Sequence, residues 1–188
     1  MSELQKRIST SIALLIVLYL CLSFKIILIL SLFAITYLLF YETYNVLTKI
    51  FKNKKNKLFL LTIISYLYII FFVILIWYFL INSQNNFYLT ILLLICIFSD
   101  IGGYIFGKTF KGRKLTKISP KKTYSGMIGS YVFPLSLIII LILYLDLNYN
   151  FIFITIFVST ISQIGDLFIS YLKRKAKVKD TGKILPGH

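Results

Sequence analysis

Residues 58–81 read LFLLTIISYLYIIFFVILIWYFLI and contain no Asp, Glu, Lys or Arg. A bilayer core takes about 20 apolar residues as a helix, since backbone polar groups find no water there and must pair within the segment. The run is therefore a membrane-spanning helix. Working outward, comparable apolar runs lie near 9–22, 26–47, 87–106, 127–145 and 151–172. They predict an all-α, polytopic transmembrane protein of about six membrane helices, a single integral-membrane domain over 1–188. The first run is short and follows Lys6 and Arg7, as in a signal peptide. No small-residue cleavage site follows it, so it is expected to remain as the first helix, turning into the second through Ser23 and Phe24.

Composition agrees. The chain has 188 residues, is 59% hydrophobic and carries a formal net charge of +15, with a mean hydropathy of +0.87. That combination excludes a soluble domain and a disordered one. Cys21 and Cys96 both lie in apolar runs far from the single histidine, so they are read as small core residues and not as a disulfide or thiolate site. The 21 Lys and Arg residues cluster in the N-terminal segment and in loops 49–57, 108–126 and 173–188, with Lys25 alone elsewhere. With six spans this puts both termini and all three loops on the cytoplasmic side, while 82–86 and 146–150 face outward without a cation. Topology thus explains most of the charge. Loop 49–57 is a plain orientation signal with a bias toward anionic lipid, and nucleic acid is not an expected partner.

Position within the chain singles out three further segments. Residues 98–107, FSDIGGYIFG, close the fourth span with Asp100 among glycines that suit either helix packing or close approach of a ligand. An ionisable residue there needs a cationic partner or a hydrated cavity. The following loop holds Ser119-Pro120-Lys121-Lys122-Thr123, in which a proline-fixed turn offers adjacent ammonium and hydroxyl donors to phosphate oxygens. The last segment, 162–188, reads SQIGDLFISYLKRKAKVKDTGKILPGH. Ser162, Gln163 and Asp166 form a polar patch on the sixth helix, with Asp166 expected to be buried. Ser170, Lys173 and Arg174 continue the stripe toward the cytosol. A carboxylate that holds a hard divalent ion, beside cations that hold phosphates, suits phosphoryl or nucleotidyl transfer.

These residues resemble a known family. KISPKKT and the run S-Y-L-K-R-x4-K-D-T-G-x2-L-P-G-H, from Ser170 to His188, are similar to the signature of the phosphatidate cytidylyltransferases. FSDIGGYIFGK, Lys6-Arg7 and Tyr41-Glu42 also look like family segments. The resemblance implies transfer of the cytidylyl group of CTP to phosphatidic acid, with release of pyrophosphate, in a bacterial cytoplasmic membrane. It implies Mg²⁺ as cofactor, with a second, monovalent cation as an option, and CTP, phosphatidic acid, the lipid bilayer and a second copy of the chain as partners.

On that resemblance Asp166 is a metal ligand, and Lys173, Arg174 and Lys179, with Asp180 beside them, form the catalytic motif. Ser119, Lys121, Lys122 and Thr123 face them as substrate-binding residues. Asp100 gives polar support or a second cation contact, Ser162 and Gln163 give polar support, and His188 orients a phosphate or a metal-bound water. The family's signature continues beyond the histidine with two glycines and an Asp-Arg pair whose aspartate shares the metal, and it has Glu where this chain has Ile169. The expectation is that the second metal carboxylate lies past His188 and that these 188 residues alone are nearly inert. A transporter or channel for an anionic solute is the competing reading, and a catalytically dead scaffold a third. Transporters place charge near the bilayer midplane and often carry internal repeats, whereas here the polar residues gather at one end and no repeat is visible.

Overall fold

The computed structural model describes residues 13, 16, 17, 19–21, 23–81, 83–116, 118, 119 and 122–178. Among them run five long helices, α1 (Lys25–Ile50), α2 (Lys55–Ile81), α3 (Ser83–Thr109), α4 (Tyr124–Leu145) and α5 (Asn150–Lys175). All five are long and apolar enough to cross a membrane. The expected first span lies mostly outside the described residues; Ala13, Ile16, Val17, Tyr19, Leu20 and Cys21 of it are helical. Cys21 and Cys96 are free thiols.

The helices run past the apolar spans at several ends. Lys55 and Lys57 belong to α2, Lys108 to α3, and Lys173, Arg174 and Lys175 to α5 rather than to loops. Hydropathy marks the hydrocarbon crossing, but backbone hydrogen bonding carries a helix on into the polar interface.

Two compact units make up the chain, Met1–Leu75 with Lys175–His188, and Ile76–Arg174. In the first, the rings of Phe40 on α1 and Tyr66 on α2 lie 4.3 Å apart. The Tyr66 hydroxyl donates to the Phe40 carbonyl at 3.3 Å. Hydroxyls within α1 and α2 are satisfied locally: Thr36, Thr62 and Ser65 each donate to the carbonyl four residues back. Such back-bonding lets a polar side chain sit in an apolar helix.

The second unit is built on the close pairing of α3 with α4. Ile91 and Ile95 of α3 meet Ile138 and Ile142 of α4 in the core, with Phe151, Ile152 and Val158 of α5 packed against them. Toward the other end of the pair the side chains shrink. Gly102, Gly126, Gly129, Ser99 and Ser130 are buried there. A Cβ on Gly102 would fall 2.6 Å from Phe133 Cβ, and one on Gly126 would fall 2.8 Å from the Gly103 carbonyl oxygen. Small residues are what allow two membrane helices to approach this closely. The Tyr131 hydroxyl shares a 3.0 Å hydrogen bond with Thr160, joining α4 to α5.

Pro134 sits fully buried inside α4. Proline has no N–H, so the carbonyl four residues back, that of Ser130, loses its helical donor. The Ser99 hydroxyl of α3 supplies one, donating to that carbonyl at 3.0 Å. Ser99→Ala should therefore leave a buried acceptor unpaired and lower stability by about 1–2 kcal/mol. Thermal unfolding in detergent checks this, and Ser99→Thr, which keeps a hydroxyl, should recover part of the loss.

Candidate active site

Loop 110–123 joins α3 to α4 and folds back on itself. The Leu115 N–H donates to the Lys122 carbonyl at 2.8 Å, and the Tyr124 N–H to the Arg113 carbonyl at 3.1 Å, around an antiparallel bridge between Lys114 and Thr123. The Lys122 N–H donates to the Ser119 carbonyl at 3.0 Å. Ser125 Oγ also bonds the Lys111 carbonyl. Lys111 and Gly112 adopt positive φ values of 51° and 105°, a conformation that suits the glycine. Thr123 caps α4, its hydroxyl accepting from the Gly126 N–H at 3.2 Å. These bonds tie the described residues of the loop to one another and to α4, and they fix where Lys122 projects.

Lys122 projects onto α5. Its Nζ lies 2.5 Å from Asp166 Oδ2. Around this ion pair opens a cleft of about 440 Å³ between α3, the start of α4, the loop and α5. Asp100 and Tyr104 line it from α3, Ser119 and Lys122 from the loop, and Ser162 and Asp166 from α5. Thr123 and Gln163 also line it. Asp100 lies close enough to Asp166 and Lys122 to feel both charges. Because α4 starts at this cleft, its first amides add positive partial charge there.

Seven of the expected residues thus share one cavity: Asp100, Ser119, Lys122, Thr123, Ser162, Gln163 and Asp166. Asp166 is not buried; its side chain is 61% exposed within the chain. It stands on the wall of an open cleft, where a charge keeps its hydration and its counter-ion together. Lys173 and Arg174 do not line the cleft. Eight residues at about 1.5 Å each carry Arg174 some 12 Å along the axis beyond Asp166. There its Nε donates to the Ile118 carbonyl at 3.3 Å, tying the loop to the end of α5. Lys121, Lys179, Asp180 and His188 lie outside the described residues.

The cleft also holds residues that the sequence reading did not single out, among them Tyr104 and Lys108. Lys108 Nζ lies 5.7 Å from the centre of the Tyr104 ring. Their signal was present, since Asp100, Tyr104 and Lys108 recur every four residues and so share one helix face.

A family model described as the cytidylyltransferase family matches residues 2–188. The chain belongs to this family. Among relatives of this cytidylyltransferase-family chain is the phosphatidate cytidylyltransferase of Rickettsia typhi, 39% identical over 120 residues, which are 57% of this chain and 53% of that one. The phosphatidate cytidylyltransferase of Bacillus subtilis is 37% identical over 115 residues, 57% of this chain and 43% of that one. The chain spans about half the length of the relatives it matches. No solved structure is a significant match. Five membrane-length helices and bacterial relatives agree with a multi-pass bacterial membrane protein.

A divalent cation fits the donors of the cleft. Asp100 and Asp166 bring two carboxylates to one cavity, with Ser162 beside them, and the ammonium of Lys122 already occupies a cation's place on Asp166. Among the described residues no three His, Cys, Asp or Glu side chains converge. Asp100 and Asp166 are the cleft residues that could hold a divalent ion, which would take its other ligands from water and substrate phosphates.

Proposed function

We propose that this cytidylyltransferase-family chain carries the transfer centre of a phosphatidate cytidylyltransferase, joining the cytidylyl group of CTP to phosphatidic acid. The observation that carries the reading is the meeting of Asp166 with Lys122 in a cleft that also holds Asp100. Family membership and the relatives' printed activity support the choice of nucleotide and lipid. No feature of the cleft favours the transporter reading.

In this reaction a phosphate oxygen of phosphatidic acid attacks the α-phosphorus of CTP. The bond from that phosphorus to the bridging oxygen of the β-phosphate breaks, and pyrophosphate leaves. The protein's part is mainly positioning and charge neutralisation. Asp100 and Asp166 would hold Mg²⁺, which when bound neutralises phosphate charge. Lys122 would exchange Asp166 for a phosphoryl oxygen. Lys108, at the end of α3, adds a second ammonium to the cleft. The open wall at Asp166 leaves a path for a lipid headgroup.

The direct test supplies a chain that carries the family's complete C-terminal signature, in micelles with labelled CTP, phosphatidic acid and Mg²⁺, and looks for CDP-diacylglycerol; absence of product would overturn the reading. Lys122→Gln removes the charge but keeps much of the length. The apparent KM for CTP or phosphatidic acid should rise about tenfold, the scale of one hydrogen bond to a charged group. A KM within twofold of the parent's would show that Lys122 serves the fold alone.

A further inference from the structure

Gln163 lies on α5 just before Asp166, and its side chain lines the cleft. Its Nε2 is nevertheless buried and, among the described residues, makes no hydrogen bond. Buried polar groups nearly always have a partner, so an orphaned amide on the wall of a charged cavity calls for an explanation. The packing of the helix does not supply one. Ser159, one turn deeper, is fully buried with its hydroxyl also unpartnered, but it does not line the cleft. Asp166, the nearest carboxylate in sequence, already receives Lys122.

We propose that Gln163 is a substrate-binding residue: its amide turns outward and donates to a phosphoryl oxygen held in the cleft. A half-turn about the last side-chain bond, a broad and soft rotation, exchanges the positions of the amide oxygen and nitrogen. The amide then meets an acceptor that Lys122 and Lys108 draw into the same cavity. The proposal rests on the cleft being a site for phosphate esters. The acceptor belongs either to the triphosphate of CTP or to the phosphomonoester of phosphatidic acid.

The test is Gln163→Leu in the full chain in micelles, with thermal unfolding followed alone, with CTP and with phosphatidic acid. Removing an orphaned amide should leave the ligand-free Tm unchanged or raise it. The ligand concentration for half-maximal stabilisation should rise about tenfold, as expected for losing one donor to a charged acceptor. A rise for CTP assigns the contact to the nucleotide phosphates, and a rise for phosphatidic acid assigns it to the lipid. In turnover, KM for that substrate should move more than kcat does. Gln163→Met, unbranched and of similar length, guards against a packing fault peculiar to leucine.

An unchanged ligand response in both variants overturns the proposal, and so does a ligand-free Tm that falls in both, because the amide would then be satisfied within the fold. A parent chain that responds to neither ligand overturns it as well. A parent that binds them but forms no CDP-diacylglycerol counts instead against the proposed reaction, and the comparison at Gln163 is still read from binding.

Discussion

Asp166→Asn, in a chain that carries the family's complete C-terminal signature, should reduce CTP-dependent formation of CDP-diacylglycerol by a factor of about 10³ or more. Asparagine keeps the shape of the side chain but removes the negative charge that Lys122 meets at 2.5 Å and that a divalent ion would use. Preorganised charge is commonly the largest single contribution to such transfers, and removing one element of it lowers rates by about 10²–10³. On the proposed function, loss of a ligand to Mg²⁺ would add to this. The fold should survive, since the Asp166 side chain is 61% exposed and exposed ion pairs contribute little stability. The expected result is normal insertion, a near-normal Tm and no product. Activity within tenfold of the parent would remove Asp166 from the site. Asp100→Asn should act in the same direction, as the second carboxylate of the cleft.

The largest structural effect is expected at the α3–α4 contact. In Gly102→Ala the new Cβ would stand 2.6 Å from Phe133 Cβ and would also overlap the Gly129 carbonyl. Neither neighbour is the far end of a flexible side chain, so the helices must separate. Overpacking of this kind costs about 1–3 kcal/mol and sometimes more. The cleft should suffer with the fold, because Asp100, Tyr104 and Lys108 ride on the displaced helix. Thermal unfolding and the yield of folded protein report the effect. Gly165→Ala is the control: nothing lies within 4 Å of its Cβ position, and alanine in a helix should stabilise by about 0.5–1 kcal/mol. If Gly102→Ala were as stable as this control, close approach would not be what holds the pair.

The membrane helices were legible in the chain because hydrocarbon imposes one demand on every residue of a span, and that demand leaves a long apolar run. Their ends were less legible. Lys55 and Lys173 are helical although they lie outside the apolar runs, since hydropathy does not record where backbone pairing stops. The glycines of 98–107 allowed either packing or ligand approach, and the structure shows both: Gly102 packs tightly against α4, while Gly103 and Gly107 line the cleft. Pro134 could be seen in the sequence, but its partner could not. The carbonyl it frees is served by Ser99 from another helix, a contact that no spacing along one segment encodes.

By itself the sequence determined an all-helical membrane protein, its family and the segments that bear charge, because these follow from composition and from motifs read along one chain. Only the tertiary structure decided which of those charges meet. It brought Lys122 of the loop to Asp166 of α5 and set Asp100 in the same cleft. It also carried Arg174 past the cavity to the Ile118 carbonyl. The reason is geometric: helix rotation and loop closure select neighbours across many residues of separation, and charge attracts only the partner that the backbone has already brought within reach.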